Sequence, residues 1–253
     1  MATYKKRGYK PQNKAEEVQV EEHDSATAEV FNTLDEGASR SEEWIQKNQN
    51  YILGVICVVL VVVLGYLAYT QFVMKPKEAN AANEMYYPQQ YFEQALNSTV
   101  AQDSLFNLAL NGAEGKYGFL DIIEEYSGTK SANLASYSAG MAYLNMQKYQ
   151  EAITHLENFS SNDAILGALA KGSIGDAFVQ LNQAGDALGY YEKAISHNTN
   201  DYTTPKFLSK AGITALELNE NSKALKYFQR IKDEFSTSDE ARTVDVFIGK
   251  AKQ

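Results

Sequence analysis

Histidine, cysteine and paired acids are the side chains best able to do chemistry near neutral pH, and in this chain of 253 residues they are few and scattered. His23, His155 and His197 stand far apart, and neither His155 nor His197 has a serine or cysteine nucleophile at a recognisable spacing. The single cysteine, Cys57, lies inside an apolar run, which leaves no disulfide framework and no Cys-based zinc site. Adjacent acids such as Glu124-Glu125 read as a solvated face. Asn97-Ser98-Thr99 and Asn158-Phe159-Ser160 spell a glycosylation acceptor, which matters only in a eukaryotic secretory pathway. Asp and Glu number 32 against 23 Lys and Arg, a net charge of −9, and that balance argues against a nucleic-acid backbone binder. The chain is read as non-catalytic, with no metal, cofactor or nucleic-acid partner.

Recognition of another polypeptide is the chemistry that remains. Candidate groove residues fall at matching positions of three similar segments. The first segment presents Leu134, Tyr137, Met141, Leu144 and Asn145, and the second presents Leu169, Gly172, Asp176, Val179 and Gln180. The third presents Lys206, Ser209, Ile213, Leu216 and Glu217. The lining is mixed and partly apolar.

The segments themselves are an internal repeat. From Gly140, a small residue follows at +12 (Ala152) and a large apolar one at +16 (Leu156). From Gly175 the same offsets give Phe178 at +3, Ala187 and Tyr191; from Gly212 they give Ala215, Ala224 and Phe228. Glycines 35 and 37 residues apart lie close to the period of the tetratricopeptide repeat, about 34 residues with two helices per unit. A small residue on the first helix lets the second approach, the +12 alanine faces it, and the large residues at +3 and +16 fill the space between units. Turns are expected near Gln147-Lys148-Tyr149, Asn182-Gln183-Ala184-Gly185 and Asn219-Glu220-Asn221. The units span about 133–160, 168–196 and 205–233, with a capping helix over 238–251. Upstream, Tyr86 to Leu96 and Gly118 to Tyr126 read as a divergent first pair, and Asp103 to Gly112 between them as an irregular insert. The expected fold class is all-α: one transmembrane helix followed by a tetratricopeptide-like solenoid over 78–253.

The transmembrane helix is placed at Tyr51 to Met74. No charged residue occurs between Lys47 and Lys75, and roughly 24 residues at about 1.5 Å each cover a hydrocarbon core of about 30 Å. Helix overrides the β preference of Val58 to Val63, because only a helix pairs its own backbone in lipid. About 50 residues precede the run, and no small-residue cleavage site follows closely, so it reads as an anchor that stays. Lys5, Lys6, Arg7, Lys10 and Lys14 favour a cytoplasmic N-terminus and an outer C-terminal domain. Gly54, Cys57, Val61, Gly65 and Ala68 share an arc of roughly 80° and offer a packing face to another membrane helix. Residues 1–24 are too polar to fold alone. Residues 25–50 carry short amphipathic pieces around Val30, Phe31, Leu34, Trp44 and Ile45, separated near Gly37, with Ser39 and Glu42 in a capping-box pattern.

This domain order, with Gly140, Ala152, Gly175, Ala187, Gly212 and Ala224 as repeat residues, resembles the YfgM-like ancillary Sec-translocon subunit family of bacterial inner membranes. The resemblance covers the chain from about Ser25 onward, and the longer, acidic tail departs from it. It implies a non-catalytic adaptor in the inner membrane with a periplasmic repeat domain. The implied partners are the SecYEG channel, a membrane-anchored periplasmic chaperone of the peptidyl-prolyl isomerase type and the lipid bilayer, with nascent secreted polypeptides as further candidates. The alternative is a membrane-anchored scaffold for another envelope complex, such as division, motility or outer-membrane assembly.

Overall fold

A charge-free run rich in Leu, Ile and Val meets its backbone hydrogen-bonding need most directly by coiling on itself. In the computed structural model, which describes residues 44–253, residues 44–69 are helical throughout (α1), the valine run included. The helical stretch Trp44–Asn97 contains an 18-residue window of mean hydropathy 2.8, none of it buried. By length and composition, this is the one helix among the described residues able to cross a membrane. The expectations for residues 1–24, for Val30, Phe31 and Leu34, and for the cap at Ser39 and Glu42 lie outside the described residues.

Residues Thr70–Gln253 form a second compact unit. It begins with a wider π-helical turn, Thr70–Met74, followed by α2 (Lys75–Glu84), α3 (Tyr86–Asn97), α4 (Gln102–Asn111) and α5 (Phe119–Glu125). The segment expected to be an irregular insert is therefore a helix, α4. Its Phe106, Ala109 and Leu110 are buried, while Asp103, Asn107 and Asn111 run down the exposed side in steps of four. The amides of Asn107 and Asn111 donate to the carbonyls of Asp103 and Asn107 at 2.9 and 3.0 Å. Apolar residues cover so much of the remaining circumference that no single 3.6-residue stripe stands out. The expected pairing is corrected too. α3 packs against α4, with Phe92 5.4 Å from Phe106, and α5 packs chiefly against α6 of the next pair.

Three helix pairs follow: α6 (Lys130–Asn145) with α7 (Tyr149–Glu157), α8 (Leu166–Gln180) with α9 (Ala184–His197), and α10 (Thr203–Glu217) with α11 (Asn221–Glu234). Each first helix carries a glycine directly under a large side chain of the second. A Cβ added at Gly140 would lie 2.5 Å from Leu156, at Gly175 2.6 Å from the Tyr191 ring, and at Gly212 2.5 Å from the Phe228 ring. The +16 residue thus fills the space within each unit, against its own glycine, and not only the space between units. Ala152, Ala187 and Ala224 are fully buried beside these contacts. The turns are also one design repeated. Gln147, Asn182 and Asn219 take left-handed φ values of 59°, 58° and 61°. The following N–H groups, of Lys148, Gln183 and Glu220, donate to the carbonyls of Tyr143, Phe178 and Ala215 at 2.8–2.9 Å. That bond closes the helix C-terminus as a Schellman cap. The end segment is a 3-10 turn at Glu240–Arg242 and then α12 (Val244–Ala251), not one helix from Ser238. The bend there accompanies insertion of Val244, Phe247 and Ile248 into the last core, with Phe247 stacked 5.2 Å from Phe228.

Two polar devices tie these parts together. The hydroxyls of Tyr190 and Tyr227 donate to Glu157 and Glu192 of the preceding unit, a rung repeated from one interface to the next. At the start of α6, the Glu78 carboxylate of α2 accepts from the N–H of Lys130 (2.6 Å), the N–H of Ser131 (3.0 Å) and Ser131 Oγ (2.6 Å). Thr129 Oγ1 accepts from Ala132 N–H at 3.0 Å, so the helix start is fully capped. Burial pulls the Glu78 pKa upward, but its hydrogen bonds with Ser131 and Lys130 outweigh that and hold it below the usual value.

Three expectations follow, all measurable by denaturation of the detergent-solubilised chain. Gln147→Gly relieves a left-handed non-glycine residue and raises stability by up to about 1 kcal/mol, whereas Gly175→Ala costs about 1–3 kcal/mol by forcing the Tyr191 ring aside. Burial and the Glu157 carboxylate push the Tyr190 phenol up to about 12, and burial with Glu192 pushes Tyr227 up as well. Unfolded tyrosine loses its proton near pH 10, so the stability these groups contribute is complete below about pH 10 and falls as pH rises through about 12. The double variant Tyr190→Phe/Tyr227→Phe flattens that alkaline decline; an unchanged slope contradicts the assignment.

Candidate partner-binding groove

The first helices of the repeats, α6, α8 and α10, carry the candidate groove residues. Five of them, Asp176, Val179, Gln180, Ile213 and Glu217, line one hollow of about 370 Å³ together with Tyr191, Lys210 and Thr214. Ile213 is 37% exposed, an apolar side chain open to solvent beside polar ones. Its wall is built around Asp176. Lys210 Nζ donates to both carboxylate oxygens at 2.6 Å, and Tyr191 OH donates to Oδ1 at 2.7 Å. The Tyr191 ring sits on Gly175, so the packing that sets the helix spacing also aims this hydroxyl. Burial, then the nearby Asp176 charge and its hydrogen bond, push the Tyr191 phenol well above its ordinary pKa, so it remains a donor.

The other candidates lie elsewhere. Leu169 and Leu216 pack, half-buried, against the core of the second and third pairs. Tyr137, Met141 and Leu144 pack against Ile153, Leu156 and Ile174, and the Tyr137 ring lies 5.1 Å from Phe159. Leu134 is 36% exposed, and Asn145 is exposed with its amide donating to the Met141 carbonyl at 2.8 Å. A Cβ at Gly172 would fall 1.9 Å from the Phe207 ring, so this residue serves packing between repeats. Lys206 and Ser209 are half-buried and line no part of the hollow. On α1, Gly54, Cys57, Val61, Gly65 and Ala68 are all exposed, and a Cβ at Gly54 or Gly65 would meet nothing within 4 Å.

Lys210 and Thr214 escaped the repeat offsets, and Tyr191 was read as packing alone. The available signal was opposite charge three residues short of one repeat's separation, since Lys210 follows Asp176 by 34 residues. His155 stacks on Tyr143 at 5.3 Å, with Nδ1 buried and unpartnered; burial lowers its pKa against the opposing pull of Glu151. Among the described residues, no three side chains of metal-ligating type come together.

Residues 137–203 and, one unit later, 173–239 match the family description of the tetratricopeptide repeat. The helix pairs are tetratricopeptide repeats. No curated protein matches the chain. The hollow between α8 and α10 lies within the matched residues. Domains of this type act as protein-interaction scaffolds.

Loss of the Asp176 carboxylate is the direct probe of this wall. Asp176→Ala leaves the Lys210 ammonium and the Tyr191 hydroxyl unpaired and is expected to cost about 1–2 kcal/mol. Each partner of the ion pair is one-third exposed, so solvent screening limits its share to below about 1 kcal/mol. Asp176→Asn, which still accepts from Tyr191, therefore costs less than Asp176→Ala in urea denaturation.

Proposed function

We propose that this chain is a membrane-anchored, non-catalytic scaffold: an ancillary subunit of the SecYEG protein-translocation channel that holds a peptidyl-prolyl isomerase-type chaperone where secreted polypeptides emerge. In this reading residues 51–74 cross the bacterial inner membrane. The N-terminal segment stays in the cytoplasm, and the tetratricopeptide repeats lie in the periplasm. The observation that carries it is the order of parts, an apolar helix of membrane-spanning length followed by tetratricopeptide repeats with an open hollow between their first helices. The two surfaces divide the work. The bare small-residue stripe of α1 suits a channel helix in lipid, because small residues let backbones approach closely. The hollow around Ile213 suits a segment of the chaperone or of a nascent chain.

Crosslinking with mass spectrometry in intact membranes tests both halves. Links to channel subunits are expected, and their consistent absence rejects the translocon reading in favour of another envelope complex. Ile213→Asp is expected to lower chaperone links about tenfold and leave channel links intact, while Gly65→Leu does the reverse.

A further inference from the structure

Successive repeats pack on one another alike, so equivalent positions at two interfaces can be compared within one molecule. At the interface between the second and third repeats, Phe207 and Leu208 of α10 are buried, and the Phe207 ring stacks 6.2 Å from Tyr191. Counted from the glycines Gly212 and Gly175, the same positions one repeat earlier hold Ala170 and Lys171. A phenyl ring is thus replaced by a methyl group, and a hollow of about 330 Å³ borders Ala170, whereas the Phe207 ring packs on Gly172 and beside Tyr191. It shares no lining residue with the groove between α8 and α10. Leu156, Phe159, Ala170 and Ile174 give it an apolar lining, and the ammonium groups of Lys171 and Lys193 give it positive charge.

Lys171 and Lys193 both border this space. Among the described residues neither takes part in an ion pair. Lys193 Nζ rests 3.9 Å from the centre of the Tyr190 ring. Lys171 Nζ lies 3.0 Å from His197 Nδ1 and 3.4 Å from the Gly167 carbonyl oxygen. His197 Nε2 is 3.0 Å from the Asp163 carbonyl oxygen, which can only accept. Nε2 therefore carries the ring proton, and Nδ1 accepts from Lys171. Two N–H groups of Lys171 are fixed this way, and one is left for a ligand. Burial also lowers the Lys171 pKa, as expected for an ammonium with no counter-charge. The Glu157 carboxylate, already engaged by Tyr190, borders the same space and disfavours a doubly charged guest.

We infer that this hollow binds a singly charged carboxylate on a short aliphatic stem, its head between Lys171 and Lys193 and its stem on Leu156, Ala170 and Ile174. The volume sits at the low end for small-molecule sites. Two sources supply that chemistry, a free short-chain acid and a glutamate side chain flanked by apolar residues in a polypeptide.

Ligand-observed NMR on the full chain in nanodiscs, with empty nanodiscs as the blank, decides the matter. The probes are hexanoate, hexan-1-ol and the peptide acetyl-Gly-Leu-Glu-Leu-Gly-amide. Saturable binding of hexanoate or the peptide is expected, with hexan-1-ol at least about tenfold weaker than hexanoate. Lys171→Met keeps the stem, removes the charge and weakens binding about tenfold. Ala170→Phe, which copies the later interface, abolishes it, with thermal unfolding confirming that each variant is folded. Should Lys171→Met or Ala170→Phe fail to fold, Lys193→Met supplies the same comparison. Tighter binding of the peptide assigns the site to a polypeptide, and equal or tighter binding of hexanoate assigns it to a free acid. Equal binding by wild type and the folded variants, or no binding of either carboxylate at about 20 mM, overturns the inference.

Discussion

Each repeat depends on a close contact of backbone with a large side chain that only glycine permits. Gly140, Gly175 and Gly212 let Leu156, Tyr191 and Phe228 settle directly on the first helix, where a single added carbon would collide. Burying a ring or leucine side chain in this way contributes about 1.5–3 kcal/mol, so the three contacts outweigh the helix propensity lost by placing glycine mid-helix, about 1 kcal/mol each. The same principle reappears between repeats, where Gly172 receives the Phe207 ring. The spacing of the helices follows from where the carbons are missing.

The candidate groove inherits its order from that contact. Tyr191 is held at its ring by Gly175 and at its hydroxyl by Asp176, and Asp176 in turn holds Lys210 of the following repeat. The polar wall is therefore fixed by the core beneath it. Beside Val179 and Ile213 in the hollow, Asp176 and Lys210 are already mated to each other.

Repeat offsets made the solenoid legible in the sequence, since glycine and alanine at fixed distances can be counted without knowing the fold. The apolar helix was legible for the plainer reason that a charge-free run of that length can be read directly from the residues. α4 was not, because Leu105, Phe106, Leu108, Ala109 and Leu110 crowd its circumference and mask the periodicity that its asparagines mark. The groove was half legible. Offsets identify which face of a helix is presented, but they do not say what folds over it. Around the first repeat, Phe159 from the α7–α8 linker lies against Tyr137, and Ile174 of the next repeat joins Met141 and Leu144, leaving these residues as packing. Lys210 lies three positions earlier in its repeat than Asp176 does in its own, so a single-repeat template does not pair them.

The cap on α6 comes from a residue some fifty positions upstream. Glu78 belongs to the helix Lys75–Glu84, and Lys77 beside it donates to the Ser127 carbonyl at 3.1 Å, so this short element is stitched to the chain just ahead of the first repeat. Any soluble fragment cut after Glu84 to shed the apolar region would expose the leading amides of Lys130 and Ser131 and fray the repeat array from its front edge. The boundary of the second compact unit thus lies before Lys75, earlier in the chain than the repeat register alone implies.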